Sequence, residues 1–265
     1  MPSVVDQMGR SVLVPDSPKR IVSLVPSQTE LLYDLGLGNA VVGQTQFCIH
    51  PRAAFAKATK IGGTKRLNLN KIRELNPDLI IGNKEENEQD QIQELETAFP
   101  VWMSDIFCLK DALDMIRKVG AVAGETDRAS QLADDIENRF QSLSSSIRAG
   151  QRVLYLIWRN PYMAAGRNTF IQDMLLQCGF ENVIQEENSR YPELSIDNIS
   201  SYKPDVVLLS SEPYPFKEKH IAELQAVLPD GKIVLVDGEM FSWYGSRLLH
   251  SPAYFNKLSQ RLLLP

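Results

Sequence analysis

A chain of 265 residues, 43% hydrophobic and 23% charged, has enough apolar material for a sizeable core and room for one large or two medium domains. That content excludes a disordered chain, and a net charge of −5 argues against a general nucleic-acid binder, which would present a basic face. No run approaches the roughly 20 apolar residues of a membrane span. The N-terminal stretch lacks a basic region followed by an apolar one, so no signal peptide is expected.

In chain order, an apolar strand over 20–25 runs into Pro26-Ser27 and a helix over 28–35. Ser27 and Glu30 read as a capping box, and Gly36 as the helix stop. A dinucleotide site would put its glycines between strand and helix; here Gly36, Gly38 and Gly43 all follow the helix, and no GxxxxGK[ST] occurs. The unit is an ordinary strand, helix and strand, the last over 40–43. Further strands are predicted over 78–82, 100–103, 152–157, 205–210 and 232–236. Helices are predicted over 70–75, 87–97, 110–123, 169–178, 195–201, 216–226 and 247–262. Short apolar runs such as DLII and DVVLL, separated by helices, indicate buried parallel strands.

The segment 125–147 stands apart. Ala129, Leu132, Ile136, Phe140, Leu143 and Ile147 recur at helical spacing between charges, which predicts one helix of about 30 Å, ended by Arg148-Ala149-Gly150. The halves on either side repeat each other. RIVSL at 20–24 matches RVLYL at 152–156, Asn76-Pro77-Asp78 matches Lys203-Pro204-Asp205, and a strand ending at Asp105 matches one ending at Asp237. The expected fold is α/β, with two Rossmann-like lobes, 1–124 and 149–265, whose parallel sheets are joined by a single long α-helix over 125–148. A ligand cleft is expected between the lobes, and a helical connection should allow little closure.

Cys48, Cys108 and Cys178 are odd in number and form no CxxC, which argues against a disulfide framework. Cys48 and His50 are too few to define a metal site. No GxSxG elbow is present, and Glu85-Glu86 lies in a polar run, so the chain is expected not to be an enzyme.

The order of several motifs resembles the substrate-binding proteins of ABC importers for cobalamin and iron–siderophores, the class with a helical backbone between two lobes. The motifs are Asp6-Gln-Met-Gly9-Arg10, Pro18 to Glu30, Asn76-Pro77-Asp78, Gly166-Arg167, Lys203-Pro204-Asp205 and Phe241-Ser-Trp243-Tyr244-Gly-Ser246-Arg247. The resemblance implies a corrinoid or ferric chelate as ligand, no intrinsic cofactor, a membrane ABC permease as partner, a monomer, and a periplasmic or cell-envelope location. A cytoplasmic scavenger or sensor is the alternative.

Loops after the strands should line the cleft. Their aromatics Trp158, Tyr162, Tyr191, Trp243 and Tyr244, with Lys65, Arg66, Arg159, Arg167, Arg190 and Arg247, suit a large flat ligand with anionic edges. The expected contacts are Lys65, Trp158, Arg159, Tyr162, Tyr191, Trp243, Tyr244 and Arg247. Lys65-Arg66 stands where cobalamin binders often place an aromatic; siderophore binders use a basic set instead. The resemblance also implies docking acids for the permease, by position Glu86 or Glu88 in one half and Glu212 in the other.

Overall fold

The computed structural model describes residues 3–144, 150–186 and 188–263. The chain divides into two compact units. The first runs to Ile106 and takes in Lys110–Glu137 and Trp243–Arg247; the second comprises Phe107–Leu109, Asn138–Ser242 and the chain from Leu248.

The first unit opens with an antiparallel hairpin, β1 (Ser3–Val5) and β2 (Ser11–Leu13), turned at Gly9. There follow β3 (Ile21–Ser23), α1 (Pro26–Asp34), β4 (Val41–Gln44), α2 (Arg52–Phe55), β5 (Thr59–Lys60), α3 (Leu69–Leu75), β6 (Leu79–Asn83), α4 (Gln89–Glu96), β7 (Val101–Ser104) and α5 (Leu109–Ala123). The five later strands form one parallel sheet in the order β5-β4-β3-β6-β7. Residues of β3, β6 and β7 are buried throughout, because helices cover both faces of a parallel sheet and alternation is then not needed. Val22, Ile80 and Met103 from the sheet pack with Ile72, Ile92 and Leu95 from the helices.

α6 (Thr126–Ser144) follows, and the boundary between the units falls inside it, after Glu137. The C-terminal part of the predicted segment, with Ile147 and Arg148, lies outside the described residues. A Cβ on Gly120 of α5 would come within 2.1 Å of the Ala129 Cβ, so this helix pair closes on a contact that only small residues allow.

In the second unit come β8 (Gln151–Trp158), β9 (Tyr162–Ala164), α7 (Phe170–Gln177), β10 (Phe180–Asn182), β11 (Glu193–Leu194), a 3-10 turn (Ile196–Tyr202), β12 (Val206–Ser210), α8 (Glu218–Gln225), β13 (Lys232–Val236), α9 (Glu239–Ser242), a second 3-10 turn (Ser246–Leu249, divided between the two units after Arg247) and α10 (Ser251–Leu263). β10, β8, β12 and β13 are parallel, while β9 and β11 add antiparallel beside the end of β8.

The sequence repeat appears as the same clamp in each unit. The Asp78 carboxylate accepts the backbone N–H groups of Lys19 and Arg20 at 2.8 and 2.9 Å, while the Arg20 guanidinium donates to the Leu75 carbonyl. Asp205 likewise accepts from the Arg152 N–H at 2.8 Å, and Arg152 donates to the Tyr202 and Lys203 carbonyls. Each arginine thus satisfies carbonyls left open where a helical segment ends. Asn76 and Lys203 take the left-handed conformation at that end, with φ of 43° and 48°.

Three expectations are corrected. The capping box does not form: Val25 is the cap residue of α1 without a side-chain bond, Pro26 takes the first helical position, and Glu30 is engaged elsewhere. The predicted helix over 195–201 is a 3-10 turn. The last helix starts at Ser251, after a separate turn.

Candidate ligand-binding site

In the first sheet β3 pairs with β4 on one side and β6 on the other, so the connections leave its carboxyl end in opposite directions. β8 holds the same place in the second, between β10 and β12. Such switch points leave a crevice at the strand ends. In the first unit four strands end on a buried polar residue: Ser23, Gln44, Asn83 and Ser104. Ser104 Oγ accepts from Gln28 Nε2 at 2.6 Å and Asn83 Nδ2 at 3.0 Å, and donates to the Gly82 carbonyl at 3.2 Å.

Asn83 and Asn87 shape the loop after β6. Asn83 Oδ1 accepts the N–H groups of Glu85 and Glu86 at 2.9 and 3.1 Å, and Asn87 Oδ1 accepts that of Asn83 at 2.9 Å. Asn87 Nδ2 donates to the Thr64 carbonyl, and Gln91 bonds Leu67 N–H and Lys65 C=O, so this loop is stitched to the one after β5. Gly62 has φ of 99°, and a Cβ there would lie 2.4 Å from the Arg66 carbonyl, which requires glycine at that turn. Glu86 is half-buried; loss of hydration pushes its carboxyl up, Glu85 adds to this and Lys65 opposes it.

The predicted cations are largely engaged by acids. Lys65 donates to the Glu85 carbonyl at 2.8 Å and pairs with Glu88 at 3.2 Å. Arg159 makes two bonds of 3.0 Å to Glu223. Arg247 makes two to Glu30, at 2.9 and 2.5 Å, and lies 4.8 Å over the Trp243 ring. Arg66 and Arg167 are exposed. Arg190 lies over the Phe107 and Tyr191 rings at 5.0 and 5.7 Å and donates to the Asn168 carbonyl.

Among the predicted aromatics, Trp158 is 40% exposed at the end of β8, and Tyr191 is half-buried. Tyr162 was expected to face ligand but belongs to the core of the second unit, stacked on Phe216; burial pushes its hydroxyl up to about 12. Trp243 and Tyr244 are buried at 6% and 7% exposure, where open stacking faces were expected. Trp243 meets His50 edge-on at 5.4 Å. A Cβ on Gly245 would lie 2.4 Å from the Ser27 carbonyl, so this segment approaches α1 through backbone.

Of the predicted docking acids, Glu88 is exposed but paired with Lys65, and Glu86 is less exposed than Glu88. Glu212 is half-buried and accepts from Ser242 Oγ at 2.5 Å. Sequence reasoning passed over Phe47 and Ile49, which are 52% and 45% exposed in the loop after β4, with Phe47 against Gly63. The available signal was two large apolar residues in a loop at a strand's carboxyl end. Among the described residues no group of three or more His, Cys, Asp or Glu side chains is placed to hold a metal, and no helix is long and apolar enough to cross a membrane.

Parallel sheets in two units, with ordered loops at their carboxyl ends, define a binding-protein fold, and the periplasmic binding protein family model matches residues 21–228; the chain belongs to that family. Family and fold are those of binding proteins, not enzymes. The vitamin B12-binding protein of Vibrio vulnificus (strain CMCP6) is 27% identical over 195 residues, 72% of this chain and 71% of that one. The crystal structure of the periplasmic vitamin B12 binding protein of Vibrio cholerae matches with a TM-score of 0.80 at 21% identity, over 93% of this chain and 100% of that one. The apo periplasmic heme-binding protein of Roseiflexus sp. RS-1 matches with a TM-score of 0.79 at 24% identity, over 92% of this chain and 97% of that one.

Proposed function

We propose that this protein is the substrate-binding component of an ABC importer, which captures a corrinoid or heme-like metal chelate and delivers it to a membrane permease. It binds without turnover, carries no resident cofactor, works as a monomer and acts in the periplasm or cell envelope. Family membership and the ligands named for its relatives support this reading.

The observation that carries the choice of ligand is the contrast between cations and aromatics. Lys65, Arg159 and Arg247 are each paired with a glutamate, whereas Phe47 and Trp158 present apolar faces at the carboxyl ends of β4 and β8. Paired cations answer a highly anionic chelate poorly, because its charge must first displace a carboxylate. Exposed aromatic faces answer a planar ring system. The proposed contacts are therefore Phe47, Trp158 and Tyr191.

Native mass spectrometry and visible absorbance of protein purified from its own host test the reading, since corrinoids and ferric porphyrins both absorb and differ in mass. Cyanocobalamin and ferric heme are then titrated into the ligand-free protein. Trp158→Ala and Phe47→Ala should each weaken the bound one about tenfold, or ~1.4 kcal/mol. Absence of binding by either probe, with neither found in purified protein, overturns the ligand class.

A further inference from the structure

Trp158, at the end of β8, packs on a ring cluster of the second unit formed by Tyr214, Phe216 and one histidine. His220 lies in the first turn of α8 at 2% exposure. Its Nδ1 accepts the backbone N–H of Lys217 at 2.8 Å, so Nδ1 carries no proton and the ring hydrogen sits on Nε2. Nε2 faces the Tyr214 hydroxyl at 3.3 Å and donates to its oxygen. The Tyr214 ring meets His220 at 5.5 Å and Trp158 at 5.7 Å, both edge-on. Phe216 closes the other side of the histidine at 5.4 Å. The Tyr214 N–H donates to the Ile157 carbonyl at 3.3 Å, which fixes the tyrosine to the strand that carries Trp158.

A proton on Nδ1 undoes this arrangement from two directions. It removes the acceptor of the Lys217 N–H, leaving a donor facing a donor. It also places a cation in a buried ring cluster. Desolvation opposes that charge most, Lys219 and Arg159 add repulsion, and against these Glu223, already held by both Arg159 nitrogens, and the Lys217 backbone favour it. Tyr162, beside Arg159 and Glu223, stays neutral in this range.

We propose that His220 is a positioning residue for the indole of Trp158: in its neutral form it holds Tyr214 against the indole, and on protonation the clash of the new Nδ1–H with the Lys217 N–H turns the ring and carries Nε2–H away from Tyr214, so that ligand affinity falls in acid. The affinity half of this proposal rests on Trp158 being a ligand contact; the positioning half does not.

Tryptophan fluorescence of the ligand-free protein, titrated from about pH 8 to about pH 4.5, tests the positioning half, with circular dichroism followed in the same samples. The wild-type spectrum should shift as the pH falls below ~6.5, the ordinary histidine value, while the circular dichroism holds. The shift should vanish in His220→Gln, whose side-chain oxygen can still accept the Lys217 N–H but takes no proton, and in Trp158→Phe. Cyanocobalamin and ferric heme are titrated at both ends of the range. The probe that binds should lose about threefold or more in affinity in acid with the wild type, and keep the same affinity at both pH values with His220→Gln. A flat wild-type spectrum, an acid response that persists in His220→Gln, a shift that coincides with unfolding, or pH-independent affinity in the wild type overturns the proposal. A spectral response with neither probe bound at any pH overturns the ligand reading and leaves the positioning of Trp158 standing.

Discussion

The Arg247 guanidinium shows how a residue that reads as a ligand anchor becomes part of the scaffold. Its side chain and that of Glu30 are 11% and 14% exposed, and the two join through a pair of hydrogen bonds. Removing Glu30 leaves the nearly buried guanidinium without its carboxylate, so Glu30→Leu should cost roughly 3 kcal/mol in urea denaturation. Adding Arg247→Met should restore most of that, because an apolar pair of similar volume carries no desolvation penalty. A double variant as unstable as the single one would show that the pair is not the source of the loss. Glu86 gives a second test at this scale. Burial raises its folded pKa above the unfolded one, so its contribution to stability is complete below the unfolded value and is lost as pH rises through the folded value. Glu86→Gln should therefore melt higher than the wild type at about pH 8 and alike at about pH 4. Equal melting temperatures at both would place the carboxylate in water.

Among the elements, the repeated clamp at Asp78 and Asp205 has one physical role in two places. Each aspartate accepts backbone N–H groups where a strand begins, and each neighbouring arginine covers carbonyls where the preceding helical segment ends. Asp78→Ala and Asp205→Ala should each cost about 0.5–1.5 kcal/mol in urea, the net worth of a hydrogen bond whose donor water can still reach. A loss confined to one of the two would mean that the clamps differ in weight despite their shared pattern. The opening turn of α1 teaches the reverse lesson. Ser27 and Glu30 have the capping-box spacing, yet Pro26 begins the helix one residue earlier and Arg247 takes the glutamate. Local spacing lost to a contact more than 200 residues away in sequence.

For the whole molecule, the proposed delivery step can be separated from ligand capture. Glu88 is the more exposed acid of the loop after β6, and Glu212 lies in the loop after β12. Charges that meet arginines of a permease govern association, not the ligand. Glu88→Ala with Glu212→Ala should leave cyanocobalamin or heme titrations unchanged and slow uptake in cells lacking the wild-type protein. Normal uptake by the double variant would remove both residues from docking.

The strand–helix alternation, the two-fold repeat and the long amphipathic segment were legible from sequence alone, because burial on both faces of a parallel sheet writes continuous apolar runs and helical burial writes a 3.6-residue period. The small strands β9, β10 and β11 were not, being two or three residues long and held by pairing with β8 or with one another. The residue types of the binding loops were also legible, but which of them remain open was not. Tyr162 and Trp158 stand four residues apart and look alike on paper; one is packed on Phe216 and the other is exposed. Lys65, Arg159 and Arg247 read as three cations ready for an anion until Glu88, Glu223 and Glu30 arrive beside them from other elements. A side chain's partner in such a loop is set by distance in space, and only the folded chain decides that.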